Sequence, residues 1–592
     1  MTINKAIKSA LCFNADFFDG EIIMKIKLEK SIFKNSQEIG AEVLFKLSAD
    51  RLLAPVYEAM NKKPKAERYG GWETKGISGH TLGHYMTALA LCYETTENEK
   101  AKEIADYVVD ELEALQQENG YVCGFPEKEG FSGVFNNPET FTVGGFDLAG
   151  WWVPYYTLHK IFRGLIDIYE KTENEKALNV VSKLGLWVYN TTSTLNEEQR
   201  KRVLKCEYGG MNQVLSRLYK ITGDERFKKA SEFFCEEELL LPLSQKQDIL
   251  TDKHANTQIP KIVGALEMYN NGGESYLYDS AKFFFDTVNE NRSYAIGGNS
   301  VSEHFHDLDK EPLETNTCET CNSNNMLVLA RELFKLNKDS KYYDYCEKVL
   351  YNHILASQDE TGMKTYFVGL KSGHFKVFST LEDSFWCCFG SGLENPFTYN
   401  QHIYNKYENE LYVNLYIPST VEDADFSAIL NSEYPQGEKA EFVIHSDTNK
   451  TISFRKPCWC DEFSVEYNGK IYSETEKGYV KINGNFKKGD TFKINLPMNI
   501  KIHHKRDDKN QVYFTFGGIV LAERLGRENF PEDDHAKGEN DLTNYEGIEV
   551  APISNTNIYN INSLKFSLDG HNLEPFYDIM HERYRVYFEI KD

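Results

Sequence analysis

Residues 215–234 have the sequence LSRLYKITGDERFKKASEFF, in which an apolar helix ends at an aromatic residue, Tyr219. A polar turn follows, and a second amphipathic helix begins at once, which is the pattern of a helical hairpin. The same pattern recurs at 88–108, 165–184, 266–285 and 329–350, with 44–60 as a sixth hairpin. Repeated helical hairpins that close into a ring form an (α/α)6 barrel, which we expect over residues 36–405.

Polar side chains stand just ahead of, or at the beginning of, the first helix of each hairpin. The starts of all inner helices meet at one end of such a ring, so these groups should converge on one cavity mouth. A single buried histidine is more often a structural core residue, but recurrence in successive repeats points to a site. The residues are His80, His84, His159, Asn212, His254, Gln258, Glu319 and Cys321.

A metal site is predicted from the segment ETNTCETCNSNN at 314–325 together with the pair Cys387 and Cys388. Thiolates and a carboxylate are ligands that tetrahedral zinc prefers, which points to Glu319, Cys321, Cys387 and Cys388. Adjacent cysteines can share one ion only where the backbone is irregular, so we expect a loop there. Two alternatives stay open: buried cysteines acting as small hydrophobes, and an all-cysteine site that includes Cys318.

The segment GGNSVSEHFHD at 297–307 places Glu303 after a glycine-containing loop of the kind that approaches a ligand closely. We keep Glu303 as a general acid/base candidate, although a solvated loop would look the same. A zinc with four protein ligands is normally structural. The exception is a ligand thiolate that is itself the nucleophile, which would give the double displacement of a retaining glycosidase.

Beyond about residue 405 the pattern changes to alternating apolar and polar residues with turn signals such as Asn468-Gly469. This alternation predicts one or two antiparallel β-sandwich domains over residues 406–592. Within 1–35, the stretch EIIMKIKLEKSIF is a candidate strand that joins this β region. Residues 528–547 are charged and irregular and are expected to form a long loop.

The composition limits the partners of the chain. Its 592 residues carry 90 acidic and 66 basic side chains, a formal net charge of −24, which argues against nucleic acid and anionic membranes. No apolar stretch is long enough to cross a bilayer, and the apolar run near the N-terminus is too short for a signal peptide. We therefore expect a cytoplasmic protein with free thiols, and the sequence leaves a homodimer open.

Taken together, the motifs resemble the β-L-arabinofuranosidases of glycoside hydrolase families 127 and 146. The similarity extends over nearly the whole chain and rests on SEHF, ETC, FWCCFGSG, YGGWE, GHTLGHYMTALAL, YYTLHKI, HANTQIPKI, TYFVGLKSGHFKVF and HERYRVYF. It implies an (α/α)6 barrel followed by β-sandwich domains, with a zinc ion that holds a nucleophilic cysteine.

Transferred to this sequence, the resemblance implies Glu319, Cys321, Cys387 and Cys388 as zinc ligands. It also implies Cys387 as the nucleophile and Glu303 as the acid/base. His159 corresponds to a sugar-contacting histidine of the family, and Tyr366 to a tyrosine ahead of the double cysteine. His254, Gln258 and His84 match motifs as further candidates for substrate binding.

The sequence thus favours a zinc-dependent, retaining exo-glycosidase that releases L-arabinofuranose from plant oligosaccharides or glycoconjugates. One alternative keeps the zinc structural and assigns hydrolysis of another plant-polysaccharide fragment to Asp147 and Glu73. Another is a non-catalytic sugar-binding protein with an aromatic cleft.

Overall fold

The structure is a computed structural model of the chain, and it describes residues 24–407, 409–536, 545 and 547–591. The N-terminal apolar run, expected to be too short for a signal peptide, lies outside the described residues, as do residues 537–544 and 546 of the loop expected at 528–547. Among the described residues, no helix is both long and apolar enough to span a membrane.

The helical hairpins form as the sequence predicts, and the local reason is the same in several repeats. After Tyr219 the chain turns at Gly223, whose φ of 69° lies in the left-handed region and whose N–H donates to the Tyr219 carbonyl at 2.8 Å. Asp224 then caps the next helix by accepting from the Arg226 N–H at 3.0 Å. The aromatic residue near the end of the first helix, here Tyr219, is therefore the one whose carbonyl accepts the hydrogen bond that closes the turn.

Six inner helices contact one another in a closed ring. In ring order they are His80–Thr96, Pro154–Thr172, Met211–Thr222, Ala255–Asn270, Thr320–Asn337 and Cys387–Glu394. The other helices are Ile32–Lys46, Ala49–Ala59, Glu99–Leu115, Glu127–Asn136, Glu175–Thr192, Glu197–Val203, Glu225–Phe233, Glu237–Ser244, Ser275–Asn291 and Lys341–Val349. We call Cys387–Glu394 the cysteine helix and Thr320–Asn337 the Glu319 helix.

The sixth repeat differs from the expectation. Residues 44–60 do not supply an inner helix, because the chain turns at Ser48, which caps the helix Ala49–Ala59 by accepting from the Arg51 N–H. That helix packs on Glu99–Leu115, and Ile32–Lys46 packs on the turn that follows the cysteine helix. The ring is closed instead by the cysteine helix, which contacts both of its inner neighbours and so brings Cys387 and Cys388 into the barrel.

The described part of the β region contains three larger sheets. The first has the order Lys25–Leu28, Ser419–Asp423, Phe426–Ser432, Lys439–Ile444, Thr491–Asn495, Ser464–Tyr467 and Lys470–Tyr472. The second has the order Tyr479–Ile482, Thr451–Arg455, Glu410–Val413 and Tyr404–Tyr407. Phe442 of the first sheet packs edge-on against Phe454 of the second, with ring centroids 5.8 Å apart, so the two sheets share one core.

The third sheet has its own small core around Phe514, Phe566 and Phe588. Its strands are Ile500–His504, Gln511–Phe516, Ile519–Gly526, His571–Pro575, Lys565–Leu568 and Ile558–Asn562, joined at the side by Arg583–Arg585 and Phe588–Glu589. A short hairpin, Asp147–Leu148 with Trp151–Trp152, lies within the barrel region. A helical barrel followed by antiparallel β domains is the fold class that the sequence predicts. Lys25–Leu28 pairs antiparallel with Ser419–Asp423, so an N-terminal strand does join the β region.

Candidate active site

Four metal-ligating side chains meet at one end of the barrel: Glu319, Cys321, Cys387 and Cys388. All four are buried, and their ligand atoms lie within 4.8 Å of one another. The Glu319 Oε1 atom is 3.8 Å from both the Cys387 and the Cys388 sulfur, and the two sulfurs are 3.9 Å apart. We call this group the cysteine cluster.

The cluster is assembled by the starts of two inner helices. Glu319 is the N-cap residue of the Glu319 helix, Cys321 lies in its first turn, and Cys387 and Cys388 open the cysteine helix. The expectation of a loop at the double cysteine is therefore wrong. At the very end of a helix, two side chains about 100° apart can still lean over the same terminus, and helix N-termini favour thiolates.

The charges within the cluster fit a bound cation. Burial raises the pKa values of Glu319 and Cys388 well above their usual range, and the thiol of Cys321 is the main cause of the raised pKa of Cys387. Burial also opposes ionisation of Cys321, but hydrogen bonds from the other two thiols lower its pKa to about 6. Burial and the neighbouring thiols thus oppose ionisation of all four groups together, which a bound cation would offset. The second oxygen of Glu319 is buried without a hydrogen-bond partner, so the residues present fit a metal ion.

Glu303 lies next to the cluster, connected to it by Tyr366. The Tyr366 hydroxyl is 3.6 Å from the Cys387 sulfur and donates a short hydrogen bond to Glu303 Oε1. Burial holds the pKa of Tyr366 well above its usual range, so the phenol keeps its proton. The nitrogen Nε2 of His254 is 3.7 Å from the other Glu303 oxygen. One hydroxyl group therefore separates the sulfur from the carboxylate.

Burial raises the pKa of Glu303, but the hydrogen bond and positive charge of His254 and the hydrogen bond from Tyr366 outweigh it and lower the pKa overall. Burial alone would lower the pKa of His254, whereas the carboxylates of Glu303 and Glu207 raise it. The pair therefore keeps a proton on the imidazole immediately beside the carboxylate.

The backbone around these groups is held in rarely used conformations. Ser300, Ser302, Glu303, Cys318 and Phe385 all have positive φ, between 45° and 76°. Such residues cost free energy and persist where the surrounding structure requires them, as at active sites. Main-chain pairing supplies that requirement: the Ala255 N–H donates to the Glu303 carbonyl at 2.7 Å, and the Thr320 N–H donates to the Tyr366 carbonyl at 3.0 Å.

A pocket of ≈ 330 Å³ opens above the cluster. Of the four cluster residues, Cys387 alone lines it, together with Glu303, His254 and Tyr366. Its other lining residues are Trp72, Ile77, Phe146, Trp152, Val153, Tyr156, Glu207, Asn256 and Phe367. Flat aromatic walls with a few convergent polar groups are typical of a carbohydrate site.

Three of the expected substrate-binding residues do not line this pocket. His84 contacts Gly390 of the cysteine helix, and its Nδ1 is 2.5 Å from Glu394 Oε1. His159 packs against Gly209 and Gly210. Gln258 donates to the His254 carbonyl at 3.2 Å. In this structure these side chains support the walls of the pocket, whereas His254 and Tyr366 form part of its surface.

The alternative hypotheses rest on Glu73, Asp147 and Cys318, and none of these residues belongs to the pocket or to the metal-ligand group. Glu73 is fully buried and caps the helix His80–Thr96 by accepting from the Gly79 N–H at 2.8 Å and the Thr81 N–H at 3.2 Å. Asp147 accepts from the Gly150 N–H at 3.4 Å in the short hairpin. Cys318 is fully buried but is not part of the metal-ligand group, in which Glu319 takes the fourth place.

Several lining residues were missed by the sequence reasoning. Glu207 is a buried carboxylate on the pocket wall, four residues ahead of the inner helix Met211–Thr222. Glu319 has a comparable position at the start of its own helix, so Glu207 could have been found by the same helix-start rule. Trp72 and Trp152 meet edge to face, with ring centroids 4.9 Å apart, and their pairing across distant segments leaves no local sequence signal.

Comparison with known proteins assigns the class. The family model described as the "Beta-L-arabinofuranosidase, GH127 catalytic domain" matches residues 25–401, and the corresponding middle-domain model matches residues 410–498. The barrel with its thiol–carboxylate site is thus that of a glycoside hydrolase catalytic domain. The chain belongs to glycoside hydrolase family 127, the β-L-arabinofuranosidase family.

Individual relatives agree with this assignment. A non-reducing end β-L-arabinofuranosidase of Bifidobacterium longum subsp. longum is 26% identical over 475 residues, which covers 75% of this chain. The match spans 64% of that relative, somewhat less than two thirds of its length. The crystal structure of a GH127 β-L-arabinofuranosidase from Geobacillus stearothermophilus T6 superposes with a TM-score of 0.74 at 17% identity, covering 96% of this chain and 100% of that one. A further GH127 β-arabinofuranosidase gives a TM-score of 0.72 at 17% identity, covering 96% and 97%. These structures share the fold.

Proposed function

We propose that the protein is a retaining β-L-arabinofuranosidase in which Cys387 is the nucleophile and Glu303 the general acid/base. One observation carries the proposal: among the metal-ligating residues of the cluster, Cys387 alone faces the pocket, and the Tyr366 hydroxyl alone separates its sulfur from Glu303. A purely structural metal site is normally closed, with all of its ligands away from a substrate pocket. The family assignment supplies the substrate class.

Glu319, Cys321, Cys387 and Cys388 would hold Zn²⁺, since three thiolates and a carboxylate are a donor set that zinc favours over harder cations. Bound there, zinc would keep the Cys387 thiol deprotonated at neutral pH. The remaining chemistry is done by side chains of this chain.

In the first step the Cys387 sulfur attacks the anomeric carbon and forms a carbon–sulfur bond, while the carbon–oxygen bond to the leaving group breaks. Glu303 is ionised beside the protonated imidazole of His254, so the proton passes from His254 to Glu303 and from there to the departing oxygen. In the second step Glu303 removes a proton from water, whose oxygen attacks the same carbon and displaces the sulfur. Two inversions give net retention.

Tyr366 has a positioning role in both steps. As a phenol that keeps its proton, it donates to Glu303 while lying beside the sulfur, and so fixes the distance between the two reacting groups. The pocket volume of ≈ 330 Å³ lies near the lower end of the range for small-molecule sites. A pocket of this size suits a single terminal sugar and supports exo-action.

The test is release of p-nitrophenol from p-nitrophenyl β-L-arabinofuranoside by the wild type and by Cys387→Ser, with zinc content measured in both. We expect turnover by the wild type and loss of it in the variant. A variant that keeps most of its activity would refute the cysteine nucleophile. A folded, metal-loaded wild type that does not cleave this compound would refute the substrate assignment. The anomer released by the wild type, followed by ¹H NMR, tests retention separately.

A further inference from the structure

The mouth of the active-site pocket carries an aromatic side chain that neither the family assignment nor the proposed mechanism uses. Phe146 lines the pocket, and 43% of the residue is exposed. The other aromatic residues that line the pocket are buried or half-buried. A single exposed apolar side chain is common on protein surfaces, so the neighbours of this ring decide its role.

The groups of the proposed mechanism are arranged from the floor of the pocket to its mouth. Cys387 is 6% exposed, and Glu303, which Tyr366 separates from it, has a side chain that is 31% exposed. His254 approaches Glu303 at 3.7 Å. The Phe146 ring meets the His254 ring edge to face, with centroids 5.0 Å apart. The path from sulfur to carboxylate to phenyl ring therefore leads outward.

A double displacement determines where the leaving group lies in such a pocket. The nucleophile attacks the anomeric carbon from one side, and the acid/base protonates the departing oxygen on the opposite side. With Cys387 at the floor, the bond that breaks points outward past Glu303, toward His254 and Phe146. The arabinofuranose is then enclosed, and the leaving group reaches the mouth.

The backbone around Phe146 is fixed to the barrel rather than free. The Gly145 carbonyl accepts from the Glu207 N–H at 2.8 Å, and the Phe146 carbonyl accepts from the Val153 N–H at 3.1 Å. Val153 is the N-cap residue of the inner helix Pro154–Thr172, and Glu207 leads into the next inner helix. Two inner-helix starts thus hold the phenyl ring in place before any ligand arrives, which is a requirement for a specificity-determining surface.

The charges at the pocket suit a leaving group without a carboxylate. Among the described residues that line the pocket there is no lysine or arginine, and the carboxylates of Glu207 and Glu303 face a single imidazole, that of His254. A negatively charged leaving group would be repelled there. The C–H face of a sugar ring, by contrast, is uncharged and packs well on an aromatic ring.

We propose that Phe146 is the platform for the leaving group, with the apolar face of an uncharged sugar ring packed on its phenyl ring. The inference rests on the proposed function, because Cys387 and Glu303 define the direction of the bond that breaks. Phe146 then determines specificity for the leaving group and does not hold the arabinofuranose.

The experiment compares hydrolysis of two compounds, methyl β-L-arabinofuranoside and a β-L-arabinofuranosyl-arabinose disaccharide. Both release an alcohol that Glu303 must protonate, but only the disaccharide has a ring in its leaving group. In Phe146→Ala we expect kcat/KM on the disaccharide to fall by about tenfold, the size of one aromatic contact with the area it buries. On the methyl glycoside it should stay within about twofold of the wild type.

Two control variants accompany this comparison. Phe146→Tyr keeps an aromatic ring and should keep both rates. Leu336→Ala removes an equally exposed apolar side chain, at 43%, from the far end of the Glu319 helix, and should also leave both rates unchanged.

Transfer to an added acceptor gives a second measurement. In the second step the hydroxyl of a sugar acceptor replaces water, attacks the anomeric carbon, displaces the Cys387 sulfur and gives its proton to Glu303. The acceptor occupies the place of the leaving group. Phe146→Ala should therefore lower transfer to added L-arabinose relative to hydrolysis, and leave transfer to added methanol unchanged.

Equal losses on the two substrates would overturn the platform, because Phe146 would then only support the pocket wall. An unchanged rate on the disaccharide in Phe146→Ala would overturn it as well. A folded, metal-loaded wild type that cleaves neither compound would refute the proposed function and this inference with it. The two failures are thus distinguished by the wild type alone.

Discussion

The cysteine cluster differs from a group of ion-paired side chains where the barrel meets the third sheet. This second group, which we call the junction cluster, consists of Asp359, Glu360, Asp534, His535 and His581. In the cysteine cluster all four ligand atoms lie within 4.8 Å of one another. In the junction cluster the rings of His535 and His581 have centroids 6.2 Å apart, and their Nε2 atoms are 3.9 and 3.6 Å from Asp359 Oδ2. Convergent thiols that reach a pocket can do chemistry, whereas imidazoles spread around a carboxylate form ion pairs.

The largest expected difference between the clusters is in catalysis. Cys387→Ala removes the nucleophile and should lower kcat/KM on an aryl β-L-arabinofuranoside by about 10⁴-fold or more, since residues that form the covalent intermediate carry most of the rate. His535→Ala should leave kcat/KM within about threefold of the wild type, because His535 neither lines the pocket nor belongs to the cysteine cluster. Steady-state kinetics of both variants is the measurement. If His535→Ala lost activity as completely as Cys387→Ala, the division of roles would be wrong.

A second comparison uses the two glutamates that approach the histidines. Glu303→Gln removes the proton donor and should lower kcat by about 10²–10⁴-fold, the usual contribution of general acid–base catalysis. Glu360→Gln is the matched control and should leave kcat unchanged. A substrate with a better leaving group should restore much of the first step in Glu303→Gln, because little protonation is then needed. Absence of such rescue would point to a positioning role.

Tyr366→Phe tests the group between sulfur and carboxylate. Loss of a hydrogen bond to a charged group costs about 1.5–3 kcal/mol, so we expect kcat/KM to fall by roughly 10- to 150-fold. The effect should appear mainly in kcat, since Tyr366 aligns reacting groups rather than holding the sugar. Tyr559→Phe, at a 61% exposed position, is the control. An effect confined to KM would make Tyr366 a binding residue.

Periodicity and motifs predicted the fold because they depend on local chemistry. The helices that carry an aromatic residue such as Tyr219 near their end stop at a capping turn that neighbouring residues encode, and the alternation beyond residue 405 gives the strands. The sixth repeat could not be predicted in this way. Its inner helix starts at Cys387 and its outer helices come from residues 32–59, so the pair is separated by most of the barrel sequence.

The site was predictable where residue type alone restricts the chemistry. Thiols and a carboxylate in two short motifs pointed to the cysteine cluster. Glu303 was a candidate from its glycine-containing loop, and the family resemblance added Tyr366. The inward or outward direction of His84, His159 and Gln258 depends on packing between helices, which sequence spacing does not give. The junction cluster was missed because its histidines and carboxylates come from three distant segments with no motif.

The smallest expected effect concerns imidazoles near the two clusters. His353 lies below the Glu319 helix, where Ser323 contacts its Nδ1 at 2.7 Å and no carboxylate is nearby among its hydrogen-bond partners. Burial lowers the pKa of His353 to about 3. In the junction cluster the hydrogen bond to Asp534 instead raises the pKa of His581. A buried imidazole is thus kept neutral at one place and has a carboxylate partner at the other.

Since the pKa of His353 is lower in the folded than in the unfolded chain, the unfolded chain takes up the proton first as the pH falls below 6.5. Stability is therefore lost with decreasing pH from about 6.5 until the folded pKa near 3, by about 2 kcal/mol between pH 7 and pH 5. In His353→Gln this part of the pH dependence should be absent, whatever the variant costs at pH 7. Urea unfolding at both pH values, with exposed His504→Gln as control, gives the difference. If the wild type and His353→Gln lose the same stability between pH 7 and pH 5, folding does not lower the pKa of His353, and the environment below the Glu319 helix is more polar than its contacts indicate.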